Sequence, residues 1–163
     1  MKELLILRHA KSSWDAPTVD DFERPLAPRG EKEAPRMGAY LATIAFVPDL
    51  IVSSPARRAS QTAQKVAKAA GFKGEIAFDQ RIYLANPDTL LEVVCALPET
   101  AGRVLLVGHN PGFEELVAAL CGGAVRLATA ALACIELPAT AAWVDAERAS
   151  GVLLWLVTPK TLA

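Results

Sequence analysis

The two histidines of this chain, His9 and His109, each follow an apolar run that predicts a buried strand. The runs are residues 4–7 and 103–107, and their length is typical of strands. A histidine in a loop is more often a solvated surface residue than a catalyst. In open parallel sheets, however, ligands bind at the carboxyl ends of the strands. We therefore expect both imidazoles at one edge of a sheet, where they can take part in catalysis.

Arginines accompany these histidines. Arg8 directly precedes His9, and Arg57 and Arg58 lie in the predicted first turn of a helix. The helix dipole disfavours cations at that position, whereas an anion is attracted to it and arginine binds phosphate through paired hydrogen bonds. The pattern predicts a phosphate site, with a solvated arginine pair at the surface as the alternative. We favour the surface position for Arg57.

The elements that would position these residues alternate between strand and helix patterns, which predicts an α/β fold. We expect a three-layer sandwich with a mainly parallel central sheet. Because no helix separates the last two strands, part of the sheet is allowed to be antiparallel. Ser54 and Pro55 predict the start of the second helix, and Pro35 is compatible with the first helix only in its first turn or at a kink. The predicted helices are 31–46, 54–71, 88–97 and 113–120, and the further strands are 49–53, 75–78, 132–137 and 152–157.

Composition sets outer limits on function. The 163 residues predict one domain, 1–163, and a hydrophobic content of 52% with 21% charged residues excludes a disordered chain. Seventeen basic and 18 acidic residues leave a net charge of −1, so we expect neither nucleic acid nor membrane as a partner. The first residues lack a signal-peptide core, which favours a cytoplasmic protein.

The three cysteines do not suggest a metal site. Cys95, Cys121 and Cys134 are widely spaced in apolar surroundings, and neither a CxxC pair nor a His/Cys pattern of zinc spacing is present. We expect buried free thiols in a reducing compartment.

Three short motifs resemble those of the histidine phosphatase superfamily, which includes the cofactor-dependent phosphoglycerate mutases. They are LRHA at 7–10, SPARRASQTA at 54–63 and VGHNPG at 107–112. Any one would be a weak signal, but three in the family's order are specific. The short chain, RHAKSSWD at 8–15 and the Arg24-Pro25-Leu26 segment are similar to the small SixA-type branch of phosphohistidine phosphatases.

The resemblance implies roles for five residues. His9 matches the nucleophile that becomes phosphorylated, and Arg8 matches a neighbouring phosphate ligand. The second arginine of the family motif falls on Arg58, because two residues separate it from Pro55. His109 matches the second histidine of the pocket, and Arg24 matches a substrate-binding arginine of the small branch.

One family feature has no clear match. Larger members carry a carboxylate that protonates the leaving oxygen, in a stretch that corresponds here to residues 79–87. We interpret Asp79 as a strand-end or solvated carboxylate and Asp88 as a helix cap. Asp15 and Asp21 are close enough in sequence to His9 to reach the pocket, although a hydrated loop is favoured. Trp14 is expected either to form a pocket wall or to pack.

These residues predict a phosphatase that needs neither a metal ion nor a cofactor. Arginines can neutralise phosphoryl oxygens, and no carboxylate cluster has metal-ligand spacing. Phosphohistidine on a protein is the favoured substrate, and a small phosphorylated metabolite is the alternative. A phosphate-recognition module without turnover stays open because the acid is missing. A nucleotide-binding domain is disfavoured, since no glycine-rich loop follows the first strand.

Overall fold

A six-stranded sheet, covered by α-helices, organises the part of the chain described by the computed structural model, residues 1–15, 19–139, 141–148 and 150–163. The strands are β1 (Glu3–Arg8), β2 (Leu50–Ser53), β3 (Ile76–Phe78), β4 (Arg103–Gly108), β5 (Leu132–Glu136) and β6 (Val152–Val157). The α-helices are α1 (Pro28–Thr43), α2 (Arg57–Ala70), α3 (Pro87–Cys95) and α4 (Gly112–Cys121).

The strand order is β3-β2-β4-β1-β5-β6. Neighbours from β3 to β1 pair in parallel, whereas β5 is antiparallel to both β1 and β6. This confirms the predicted mainly parallel sheet with an antiparallel strand, and the described residues between β5 and β6 form no α-helix. The carboxyl ends of β1, β2 and β4 therefore meet at one edge of the sheet.

Two apolar layers lie on opposite faces of the sheet. In β1, Leu4 and Ile6 pack with α3 and α4, whereas Leu5 and Leu7 pack with α1 and α2. Successive side chains of a strand point to opposite faces, so a run of buried apolar residues serves both layers. The result is the predicted three-layer α/β sandwich of the phosphoglycerate mutase-like type.

The first helix begins earlier than the apolar pattern predicts. It starts at Pro28, where the fixed φ of proline suits the first helical position and its missing N–H costs nothing. Pro35 therefore lies in the helix interior, which excludes the first of the two predicted alternatives, a first-turn position. The second helix, predicted over 54–71, ends where expected. Gly71 caps the carboxyl end of α2 with a φ of 74°, a conformation that glycine adopts readily.

Two predicted helix caps are wrong. α2 starts at Arg57, after Ala56, rather than at Ser54 and Pro55. Ser54 is instead hydrogen bonded to His109, at 2.8 Å. The cap of α3 is Asn86, whose side chain accepts the Thr89 N–H at 2.9 Å.

The cysteines are free thiols. Cys134 is buried and Cys95 and Cys121 are half-buried, so the expectation of burial holds fully for Cys134 alone. Among the residues that the structure describes, no helix is long and apolar enough to cross a membrane.

Candidate active site

The two histidines meet at the carboxyl edge of the sheet. β1 and β4 are parallel neighbours with Arg8 opposite Gly108, and the His9 N–H donates to the Gly108 carbonyl at 2.9 Å. His109 directly follows the last residue of β4, so the pairing register brings the two imidazoles side by side. Their ring centroids are 5.3 Å apart.

The His9 ring is held in one tautomer. Its Nδ1 lies 2.7 Å from the Ala10 carbonyl oxygen, and a carbonyl can only accept, so Nδ1 carries the hydrogen and Nε2 the lone pair. Burial, joined by the charges of Arg58, Arg8 and Arg24, outweighs the opposing effect of the Ala10 hydrogen bond and lowers the pKa of His9 to about 4. A neutral imidazole with a free Nε2 is equipped for nucleophilic attack.

His109 is anchored through Ser54. The Ser54 Oγ lies 2.8 Å from Nε2 of His109 and also accepts the Ala56 N–H at 3.2 Å. Among the described residues the Ser54 hydroxyl hydrogen has no acceptor other than Nε2, so Ser54 donates to Nε2 and the ring hydrogen of His109 lies on Nδ1. Burial, followed by the neighbouring His9 and Arg58, lowers the pKa of His109 to about 3. His109 is therefore a neutral hydrogen-bond donor.

Arg8 and Arg58 are each tied down through their terminal nitrogens. Arg8 Nη1 donates to the Leu127 carbonyl at 3.0 Å, and Arg58 Nη1 and Nη2 donate to the Asp21 carbonyl and carboxylate at 2.7 and 3.1 Å. In both arginines the buried Nε has no hydrogen-bond partner among the described residues, and the same holds for Nδ1 of His109. The site thus contains three buried donors that can receive an anion.

Arg24 belongs to the same hydrogen-bond network, but its Nε, unlike those of Arg8 and Arg58, already has a partner. It is buried, with Nε on the Asp21 carboxylate at 3.1 Å and Nη1 on Ser12 Oγ at 2.8 Å. Trp14 is 70% exposed and its ring lies 3.5 Å from the Arg24 guanidinium carbon. This position excludes a buried packing role for Trp14. Arg57 is exposed.

The favoured prediction for Asp21, a position in a hydrated loop, is wrong. Its carboxylate contacts Arg24, Arg58 and the Tyr83 hydroxyl, the last at 2.5 Å. Partial burial raises the pKa of Asp21, but Tyr83 and the two arginines outweigh it and lower the pKa to about 2. Its position three residues before Arg24 is the one local signal that could have revealed it.

The other acidic candidates are engaged elsewhere. Asp79 follows β3 and forms an ion pair with Arg81 at 2.7 Å, and Asp88 pairs with Arg148 on the surface. Asp15 is exposed. In the described segments no group of three or more His, Cys, Asp or Glu residues could hold a metal ion.

Two further residues of the 54–63 motif connect the site to the scaffold. Thr62 Oγ1 accepts the Ala10 N–H at 3.0 Å and donates to the Arg58 carbonyl at 2.7 Å. Gln61 accepts the Leu26 N–H at 2.9 Å. The motif therefore links α2 to both ends of the β1–α1 segment, which carries His9 and Arg24.

Glu114 and Asn110 support Arg8 from α4 and from the preceding turn. Glu114 Oε1 accepts the Leu127 N–H at 2.8 Å and an Asn110 amide hydrogen at 3.0 Å. Asn110 also donates to the Leu127 carbonyl, the group that binds Arg8. Because the contacts to Leu127 join segments that are distant along the chain, no local pattern in the sequence reveals them.

Comparison with known proteins identifies the family of this chain. A family model described as the histidine phosphatase superfamily (branch 1) matches residues 4–82. A crystal structure of a protein assigned as phosphohistidine phosphatase SixA from Agrobacterium tumefaciens is 30% identical, covers 97% of this chain and 98% of its own, and superimposes with a TM-score of 0.83. This chain belongs to the histidine phosphatase superfamily.

Within the superfamily, structures of the SixA-type branch are similar to this chain over nearly its whole length. A SixA protein histidine phosphatase complexed with tungstate has the same fold, with a TM-score of 0.86 at 24% identity over 99% of both chains. A phosphoglycerate mutase of Thermobifida fusca is 37% identical, but over only 44% of this chain and 30% of its own. The superfamily and its SixA members support a phosphatase activity.

Proposed function

We propose that this chain is a metal-independent phosphatase in which His9 carries the phosphoryl group covalently, with phosphohistidine on a protein as substrate. The observation that carries the proposal is the pairing of a neutral, oriented His9 with three buried donors without partners among the described residues, on Arg8, Arg58 and His109. The arginines supply the positive charge that metal ions supply in other phosphoryl-transfer enzymes.

In the first step Nε2 of His9 attacks phosphorus. The P–N bond of the substrate breaks, its electron pair stays on the departing nitrogen, and a ring protonated by solvent leaves as neutral imidazole. Arg8, Arg58 and His109 donate to the phosphoryl oxygens as their charge shifts. The Ala10 carbonyl, 2.7 Å from Nδ1, stabilises the positive charge that the His9 ring gains on phosphorylation.

In the second step water attacks the phosphorus of phospho-His9. The P–Nε2 bond breaks and its electrons return to the ring, so the products are inorganic phosphate, a proton released to solvent and neutral His9. The lowered pKa of His9 supports this route, because the ring re-forms as the neutral nucleophile at neutral pH.

Trapping the intermediate tests the proposal. Brief mixing with a substrate carrying labelled phosphorus, followed by a denaturing quench, should leave label on His9 that survives alkali and is lost in acid. His9→Ala should take up no label. Acid-stable label, or label retained by the His9→Ala protein, would contradict the covalent role of His9.

The substrate is tested separately. A phosphohistidine peptide, a phosphoserine peptide, an aryl phosphate and a small sugar phosphate should be assayed with the same preparation. Preference for the phosphohistidine peptide supports a protein substrate, and preference for the sugar phosphate would support the metabolite alternative. Binding of phosphate without turnover of any of the four would indicate a recognition module.

A further inference from the structure

Asp21 makes direct side-chain contacts to two arginines of the site, Arg24 and Arg58. We propose that Asp21 is a positioning residue, which holds the Arg58 and Arg24 guanidinium groups so that Arg58 keeps its Nε–H for the phosphoryl group. This inference rests on the proposed function and assigns a role to a residue outside the three family motifs.

The contacts of Asp21 are divided between the two arginines. Oδ1 accepts from Arg24 Nε at 3.1 Å, and Oδ2 accepts from Arg58 Nη2 at 3.1 Å. The main-chain carbonyl of Asp21 adds a bond from Arg58 Nη1 at 2.7 Å. One residue thus occupies both terminal nitrogens of Arg58 and leaves its Nε, which is buried, without a partner among the described residues.

Tyr83 fixes the carboxylate in turn. Its hydroxyl donates to Asp21 Oδ2 at 2.5 Å, and its ring packs edge-on against His109 and Phe22, with centroids 5.4 and 5.1 Å apart. Burial, followed by Asp21, raises the pKa of Tyr83, so the hydroxyl keeps its proton. The Asp21 carboxylate is therefore held by a neutral donor as well as by two cations.

The charges of the site attract an anion. Arg8, Arg24 and Arg58 carry three positive charges, and Asp21, with its pKa lowered to about 2, offsets one of them throughout the neutral range. Glu114 acts electrostatically on Arg8, so a smaller net positive charge remains for a phosphoryl group of about −1.5 to −2. Asp21 also stays ionised in this range and so supplies no proton to a leaving group, which limits its role to holding the arginines.

Asp21→Asn separates this role from a purely structural one. The amide keeps the size of the side chain and the main-chain bond to Arg58, but it loses the charge. We expect kcat for an aryl phosphate to fall about 10- to 100-fold because Arg58 is no longer held in place. The Kd of inorganic phosphate should not rise, since all three guanidinium charges remain and the opposing charge of Asp21 is lost.

A second measurement reads the position of Arg58 without turnover. The Arg58 Nε–H, assigned in NMR spectra with Arg58→Lys, should be ordered in the wild-type protein and mobile in Asp21→Asn. Asp20→Asn is the matched control, because Asp20 is the adjacent exposed carboxylate and its side chain makes no capping bond. Tyr83→Phe, which removes only the donor to Asp21, should show the same changes more weakly and serves if Asp21→Asn does not fold.

Each outcome decides the inference. A kcat within about threefold of wild type together with an ordered Arg58 Nε–H would overturn it, and so would equal losses of phosphate affinity and kcat, which indicate general damage to the pocket. A wild-type protein that binds phosphate but never turns over would refute the proposed function alone. The order of the Arg58 Nε–H would then still decide the role of Asp21.

Discussion

At the scale of single residues, two adjacent arginines of α2 have opposite environments. Arg58 is 3% exposed and bonded to Asp21, whereas Arg57 is exposed. The difference follows from the helix, since neighbouring positions point about 100° apart around its axis. Both residues are arginines, so their different roles follow from the directions in which their side chains point from the helix.

Truncation of these arginines should therefore have unequal effects. Arg58→Ala removes a charge-assisted donor from the phosphoryl site, and we expect kcat to fall about 10²- to 10³-fold. Arg57→Ala serves as the control and should stay within about threefold of wild type, because the side chain lies in solvent. Steady-state kinetics on an aryl phosphate measures both. Loss of activity in Arg57→Ala with a normal Arg58→Ala would mean that the motif has been assigned in the wrong register.

The carboxylates also predict how activity depends on the leaving group. Hydrogen bonds from Arg81 lower the pKa of Asp79, and the pKa of Asp21 is lowered to about 2, so neither is a protonated acid at neutral pH. Asp88 is bound to Arg148 on the surface. Expulsion of a basic oxygen should then be slow. We expect phosphohistidine, with an imidazole pKa of about 6.5, to react faster than aryl phosphates, with a phenol pKa of about 10, and alkyl phosphates to react slowest.

A series of substituted phenyl phosphates tests this expectation. The chemical step, measured in single-turnover experiments, should slow steeply as the phenol becomes more basic. A flat dependence would mean that an acid protonates the leaving group. Replacement of Asp15, Asp21, Asp79 and Asp88 one at a time would then identify it.

At the scale of elements, α1 packs directly against the segment that follows His9. Gly30 lies in the first turn of α1, and a Cβ at this position would be only 2.2 Å from the Lys11 carbonyl oxygen. The same carbonyl accepts the Ala27 N–H at 2.8 Å, and the next residue, Ser12, binds Arg24. The start of the helix thus sets the path of the loop that holds Arg24.

Gly30→Ala should consequently destabilise the protein. Helix propensity alone favours alanine by up to about 1 kcal/mol, so destabilisation would show that the contact with Lys11 dominates. We expect the free energy of unfolding to fall by about 1–3 kcal/mol, with a lower kcat as the Lys11–Ser12 backbone shifts. Gly123→Ala is the control, because its Cβ meets no atom within 4 Å. Urea unfolding of the two variants measures the difference, and equal stabilities would contradict this account.

At the scale of the whole molecule, burying two histidines makes stability depend on pH. The pKa values of His9 and His109 are lowered to about 4 and about 3, against about 6.5 in an unfolded chain. Well above pH 6.5 both states are neutral and the histidines contribute no pH dependence. As the pH falls below 6.5, the unfolded state binds protons that the folded state does not, so stability decreases.

Urea unfolding at pH 6.5 and 5.0 checks this effect. The two histidines together should cost up to about 4 kcal/mol over this interval, at about 1.4 kcal/mol per pH unit each. His109→Asn should lose about half of the dependence, whatever its stability at pH 7. A wild-type protein equally stable at both pH values would show that the imidazoles are protonated in the folded state.

The sequence by itself determined the features that depend on local pattern. Short apolar runs such as 4–7 and 103–107 predicted strands, and their alternation with helices predicted the mainly parallel sheet. Histidines placed directly after two of those runs had to reach the same edge, because parallel strands share a direction. The three motifs identified the superfamily, since residue types and order are properties of the chain alone.

Only the tertiary structure decided which polar groups are bonded to each other. Ser54 has the residue type of a helix cap but binds His109, 55 residues away, and Asp21 looks like a loop carboxylate but meets Arg58 and Tyr83 from 37 and 62 residues away. A capping preference is worth about 1 kcal/mol, which a buried polar partner can outweigh because an unsatisfied group costs about 1–3 kcal/mol. Which polar groups bond to each other depends on which side chains the packed layers bring within about 3 Å of one another. That distance cannot be read from the spacing of residues along the chain.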